Sequence, residues 1–262
     1  MAVLMLSSAM VTFAGLWTLS WVADTNSSNE LRDALGEVAQ MQEVEDDDNT
    51  ETSGRAGDTA NDYWDFIRQP LISVNFSELL AKNSDTVGWI NVKSTNINYP
   101  IVQRSDNEYY LKHAFDGSRN GAGWVFADFR NNMKQFDKNT IFYGHSRLDG
   151  AMFGSLKNAL GRAWYNDKNN HVILLSTPTE NTMWQVFSTY QIGPESYYLT
   201  TSFINNNEYA TFLETLKGRS VHDFEATAGV EDKILTISTC ANNAAEDRIV
   251  VHARLIKTQK RV

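Results

Sequence analysis

The first 22 positions carry no charged side chain and read MAVLMLSSAMVTFAGLWTLSWV. At about 1.5 Å per helical residue this run is long enough to cross a hydrocarbon core of roughly 30 Å. Trp17 and Trp21 stand at its distal end, where indoles favour the membrane interface. The run therefore predicts a single-pass anchor in the cell membrane, touching the lipid bilayer through residues 1–22, with the N-terminus inside and the remainder outside. A cleaved signal peptide competes with this reading, but it calls for a basic start, a shorter apolar stretch and a small-x-small site, and Trp21-Val22-Ala23 matches that poorly. Farther on, Leu31, Leu35, Val38 and Met41 recur at helical spacing. Residues 43–60 (EVEDDDNTETSGRAGDTA) are acidic and almost free of large apolar side chains. Residues 23–61 thus read as an acidic stalk or linker, with an acidic binding tail as the other reading.

After residue 61 the pattern changes. The segment DYWDFIRQP brings Tyr63, Trp64, Phe66 and Ile67 together in a short amphipathic helix ended by Pro70. Beyond it, runs rich in β-branched and aromatic residues predict strands over 87–92, 97–103, 123–127, 140–144, 171–176, 183–192, 233–240 and 248–257, each bounded by Asn, Asp, Gly or Pro. Helices are predicted over 77–82, 152–160 and 207–216, the last with Tyr209, Phe212 and Leu216 on one face. About eight strands at this spacing predict an all-β barrel or sandwich, with a helix inserted between two of its long strands. The globular domain is placed at residues 62–262.

Composition narrows the function classes. With 262 residues, 42% hydrophobic and 21% charged, the chain after the linker can bury a substantial core, which excludes a disordered protein. A net charge of -9 excludes the basic footprint that nucleic-acid binding requires. One cysteine, Cys240, excludes an intrachain disulfide and a metal site of several thiolates.

That cysteine ends the run Ile234-Leu235-Thr236-Ile237-Ser238-Thr239-Cys240, in which period 2 places Thr236, Ser238 and Cys240 on the polar face. A packed cysteine belongs more naturally on the apolar face, so a reactive thiol and a buried one both remain open. If the following loop closes a hairpin, Arg248 faces Cys240 across the strand ends, where its guanidinium would stabilise a thiolate and donate to an oxyanion. A charged residue on a solvated strand end is the plainer alternative. Among five histidines, His145 ends a strand where functional groups gather, and His171 is the second candidate proton carrier.

Thr236-Ile237-Ser238-Thr239-Cys240 resembles the nucleophile motif T-L-x-T-C of the sortases, with Ile for Leu. Asn139-Thr140-Ile141-Phe142-Tyr143-Gly144-His145 is similar to the family's histidine strand, and Arg248-Ile249-Val250-Val251-His252-Ala253 to its arginine strand. Val87-Gly88-Trp89-Ile90, Ile97-Asn98-Tyr99-Pro100-Ile101-Val102-Gln103, Asp149-Gly150-Ala151-Met152-Phe153 and the helix near 207–217 resemble class B members. The resemblance covers about residues 62–257. It implies a mainly β fold, a closed eight-stranded barrel with an N-terminal helix and a helical insertion between strands six and seven. It also implies a thiol-dependent cysteine transpeptidase of a Gram-positive bacterium. Such an enzyme cleaves the C-terminal sorting-signal peptide of a secreted protein after Thr, through a Cys240 thioester, and transfers it to an amine of the peptidoglycan precursor, with its catalytic domain extracellular. The motif positions give His145, Cys240 and Arg248 the catalytic roles, and they place Asn107, Leu111, Tyr198, Leu199 and Ser238 in the substrate groove. No metal and no cofactor is implied. Pro194 stands where a relative has Thr, which bears on the peptide-pocket wall. Two other readings use the same residues differently: an endopeptidase that lets water resolve the thioester, and a non-catalytic surface module in which Cys240 is a packed thiol.

Overall fold

Helix α1 (Ala2–Ala39) opens the chain and leads into three short strands, β1 (Gln42–Val44), β2 (Thr50–Thr52) and β3 (Leu71–Ser73), followed by α2 (Phe76–Lys82). Eight further strands fall on the predicted β-rich runs: β4 (Thr86–Val92), β5 (Asn98–Val102), β6 (Phe126–Ala127), β7 (Asn139–His145), β8 (Val172–Ser176), β9 (Glu180–Ile192), β10 (Ile234–Cys240) and β11 (Arg248–Lys260). Helix α3 (Arg162–Asn166) precedes β8, and α4 (Asn206–Gly218) lies between β9 and β10. The structure is a computed structural model that describes residues 2–52, 69–240 and 247–261, with side chains from residue 18 onward. The predicted helix at 62–70 lies, up to residue 68, outside the described residues, as does the loop 241–246.

The sheet runs in the order β10-β7-β6-β5-β4-β8-β9-β11, and β11 pairs back onto β10 to close an eight-stranded barrel. Pairs β5–β6 and β7–β10 are parallel, and the other barrel pairs are antiparallel. Closure leaves the barrel strands no free edge, and the core around them is large and aromatic: Trp89, Trp124, Trp184, Tyr99 and Phe142 are fully buried. Helix α4 falls between the sixth and seventh barrel strands, as expected. Asn205 caps it by accepting from Glu208 N at 3.0 Å, and Tyr209, Phe212, Leu213 and Leu216 form its buried face.

Three local departures have physical causes. Strand β6 holds two residues instead of five: Gly123 sits at φ 59°, a left-handed conformation outside any strand, and Trp124 N donates to Tyr110 O instead of to a neighbouring strand. The 152–160 stretch winds as a 3-10 helix over Gly154–Leu160. Strands β9 and β11 are thirteen residues each and pair along their whole length, with bulges at His252/Ala253 and Leu255/Lys257 that absorb the curvature of the barrel.

The N-terminal expectation is corrected. Among the described residues no helix is long and apolar enough to cross a membrane, so the single-pass membrane placement with an extracellular domain, and the bilayer contact through residues 1–22, are not supported. Helix α1 instead runs unbroken through the polar stretch at 24–33, and its second half packs on the domain. Trp21, expected at a lipid interface, lies beneath the Arg147 guanidinium, 4.7 Å from its ring centroid. Arg147 also donates to the Thr25 hydroxyl, Gly121 N donates to Asp24 Oδ2 at 3.1 Å, and Leu35 and Ala39 are buried. Within the acidic stretch that follows, β1 pairs with β3 and β2 extends the sheet beyond β11. Lys257 there meets Asp46 at 2.8 Å.

Candidate active site

Parallel pairing of β7 with β10 brings two strand ends to one level, and its last register pair is Cys240 with His145. On the other side β10 runs antiparallel to β11 through Ser238 and Val250, so the same register carried on by two residues sets Cys240 against Arg248. Ile249 N donates to Thr239 Oγ1 at 2.9 Å, holding the two strands together up to that point. Three neighbouring strands thus deliver a thiol, an imidazole and a guanidinium to one end of the barrel, each at a strand terminus, where functional groups gather.

A groove of about 280 Å³ opens beside Cys240 and Arg248, and His145 is not among the residues that line it. Asn107, Leu111, Tyr198, Leu199 and Ser238 all line it beside Cys240 and Arg248, although they come from three separate chain segments. Phe126, Tyr143 and Thr239 complete the lining. Tyr143 was legible: it lies two residues before His145 in an alternating strand, hence on the same face. Tyr198 Oη meets Ser238 Oγ at 3.0 Å, tying the wall to the β10 floor.

His145 Nε2 donates to the Leu111 carbonyl at 2.9 Å, which fixes the plane of the ring. Gly123 packs so close to this pair that a Cβ there would stand 3.1 Å from His145 Cδ2 and 3.0 Å from the Leu111 oxygen. The remaining histidines are held elsewhere. His171, the second candidate, donates from Nε2 to the Tyr165 carbonyl at 2.8 Å and packs between Tyr165 and Phe224. His113 stacks on Tyr109, His222 on Tyr165, and His252 is buried between Thr236 and Tyr190.

Burial pushes the Cys240 thiol up to about 12, against the opposing pull of the Arg248 charge and of a backbone hydrogen bond from Gly144. The thiol of the free protein is therefore protonated at neutral pH. Burial likewise raises Tyr198, opposed by Ser238 and by the Arg248 guanidinium, which places Arg248 within reach of both the thiol and the groove wall. Among the described residues no cluster of His, Cys, Asp and Glu could hold a metal ion. The arrangement suits nucleophilic attack on an acyl group in an extended peptide, with a cationic donor beside the nucleophile.

A closed eight-stranded barrel thus brings a thiol, an imidazole and a guanidinium to adjoining strand ends. A family model described as the sortase domain matches residues 90–256. The chain is 36% identical over 191 residues to sortase B of Staphylococcus aureus, covering 72% of this chain and 78% of the relative. It is 34% identical over 188 residues to sortase B of Listeria monocytogenes, covering 68% and 73%. Among solved structures, sortase B of Bacillus anthracis in complex with AAEK1 superposes with a TM-score of 0.71 at 31% identity, over 90% of this chain and 99% of that one. The Staphylococcus aureus sortase B–substrate complex gives 0.65 at 36% identity, over 70% and 84%. The chain belongs to the sortase family, in its class B, the cell-wall transpeptidases.

Proposed function

We propose that this sortase cleaves a C-terminal sorting-signal peptide after Thr and passes the acyl group, through a thioester on Cys240, to an amine of the peptidoglycan precursor. The observation that carries this reading is the meeting of Cys240, His145 and Arg248 at adjoining strand ends, with Cys240 and Arg248 lining one groove. A Staphylococcus aureus relative solved as a substrate complex adds support for a peptide in that groove.

Cys240 Sγ attacks the carbonyl carbon of that Thr, and the oxygen gathers negative charge. Arg248 donates to that oxygen, a contribution of roughly 10²–10³ in rate for a well-placed donor. His145 protonates the departing amine and later takes the proton from the incoming one. Because burial keeps the thiol neutral in the free protein, its proton passes to His145 as the peptide fills the groove, and this is the proton that His145 gives to the departing amine. Asn107, Leu111, Tyr198, Leu199 and Ser238 hold the peptide along the groove.

The test is mass spectrometry of the chain incubated with Pro-x-Thr peptides and a small amine, with Cys240→Ala alongside. The expected product ends in Thr joined to the amine and is absent from the variant. A free Thr carboxylate in the presence of excess amine makes the protein a hydrolase instead, and cleavage by Cys240→Ala would falsify the thioester.

A further inference from the structure

Strand β6 ends one residue before Asp128, whose carboxylate is completely buried. Arg130 grips it in a fork, Nε to Oδ1 at 2.8 Å and Nη2 to Oδ2 at 2.7 Å, and Arg130 N donates to Oδ1 at 3.0 Å. The second carboxylate oxygen also accepts from Tyr143 Oη at 2.9 Å and from Asn107 Nδ2 at 3.1 Å. Arg130 Nη2 reaches across to the Leu199 carbonyl at 3.0 Å. Three groove-lining residues on three chain segments thus converge on one ion pair that does not itself line the groove.

We propose that Arg130, aimed by Asp128, is a positioning residue that latches the Leu199 wall to the Asn107 wall and so sets the width of the peptide groove. An ordinary surface ion pair contributes little, because solvent screens it and both side chains lose freedom. This one differs in its partners. The buried carboxylate gives its lone pairs to Tyr143 and Asn107, and the guanidinium gives a remaining donor to the opposite wall. Asn107 is fixed from its other end too, since Phe129 N donates to its Oδ1 at 3.0 Å. Only a planar, multi-donor cation can hold a carboxylate by two nitrogens and a carbonyl with the same group, which an ammonium cannot reproduce. Arg130 touches neither Cys240 nor His145, so its effect falls on peptide binding and not on bond making. The inference rests on the groove being the peptide site.

The experiment compares the wild-type chain with Arg130→Ala and Arg130→Lys in two measurements. In amine-transfer kinetics with the best sorting peptide, both variants raise KM roughly tenfold, the loss expected for a charged hydrogen bond, while kcat stays within about twofold. In hydrogen exchange of the peptide-free protein, segments 129–130 and 197–200 exchange faster together in both variants, while the β10 amides do not change. Unchanged exchange overturns the latch. Faster exchange with KM unmoved, or rescue of KM by Lys, overturns its role in setting the groove. If the wild-type chain turns over no sorting peptide, the reading of the groove fails, and the exchange measurement still decides whether the latch exists.

Discussion

Cys240 combines two opposing demands at a single atom. In the proposed mechanism the thiol must be shielded enough for a thioester to survive water, yet burial is what pushes it up to about 12. Arg248 is the compensating charge, so its removal raises the thiol further. The alkylation rate of the peptide-free protein by iodoacetamide should therefore keep rising through pH 8–10, with no plateau near the ordinary thiol value of about 8.5. In Arg248→Ala the whole profile should move to higher pH, whereas Arg248→Lys should keep the alkylation profile and lose roughly 10²–10³ in kcat, because Lys supplies charge without the forked donor. A plateau below pH 9, or full turnover by Arg248→Lys, sinks this assignment of charge and geometry to the guanidinium. Tyr143 and Asp128 belong to the same scale: a carboxylate beside the tyrosine would ordinarily be raised by its burial, but the Arg130 fork, the Arg130 backbone N–H and the Tyr143 hydroxyl together hold it below the usual range.

At the scale of elements, the site is made by strand ends plus one turn. The turn at 120–124 returns the chain to β6: Gly123 N donates to Asn120 O and Trp124 N to Tyr110 O, so the segment carrying Leu111 and the strand carrying His145 are pinned by backbone. Gly123→Ala places a Cβ 2.5 Å from the Tyr110 oxygen at a φ of 59°, and neither oxygen nor backbone can yield cheaply. This should cost about 1–3 kcal/mol of stability and at least roughly tenfold in turnover, with the Cys240 alkylation rate nearly intact. A variant that melts lower but turns over normally would show that the Leu111–His145 contact is dispensable. Elements of this kind mark where the sequence stopped being legible. The eight barrel strands could be read because short runs of β-branched and aromatic residues bounded by Asn, Asp, Gly or Pro are a local signal. The left-handed Gly123 is set by packing against Tyr110 and Leu111 and left no periodic trace, so β6 was read too long. Cys240, His145 and Arg248 were legible as strand-end chemistry, but the groove walls at Asn107 and Leu199 came from family resemblance alone, and Asp128 and Arg130, in an aperiodic loop, gave no signal. Residues 1–22 misled in the opposite direction. An apolar run says nothing of whether Trp21 and Thr25 at its end meet lipid or Arg147.

Across the whole molecule, one buried polar chain joins four barrel strands to the groove wall. Tyr197 Oη donates to Tyr190 Oη at 3.2 Å, and that hydroxyl meets His252 Nε2 at 2.8 Å. On the far side of the ring, His252 Nδ1 and Thr236 Oγ1 are 2.9 Å apart, and Thr236 donates to Asn139 Oδ1 at 2.6 Å. Asn139 Nδ2 then returns to the carbonyls of Tyr198 and Thr200, at 3.0 and 2.8 Å. Since the Thr236 proton is committed to Asn139, His252 must donate from Nδ1 and accept at Nε2, which only the neutral ring can do. Burial enforces the same state by holding His252 down to about 3. The unfolded chain protonates this ring near pH 6.5 and the folded barrel does not, so stability falls as pH drops from about 6.5 towards 3, by at most about 1.4 kcal/mol per pH unit from this group. Asp128 also loses its contribution in acid, but as a carboxylate it does so only below about pH 4. His171 is lowered by burial as well, so it too costs stability as pH falls below about 6.5 and adds to the wild-type slope. Urea unfolding at pH 7, 6 and 5 therefore separates His252 by difference. His252→Gln should be less stable at pH 7, because the chain from Tyr190 to Asn139 is broken, and its stability should depend less steeply on pH over this range by nearly the full single-proton slope. Parallel slopes in the two proteins would mean that the ring is charged inside the barrel and that the Asn139 contacts to the groove wall are held by something other than this chain.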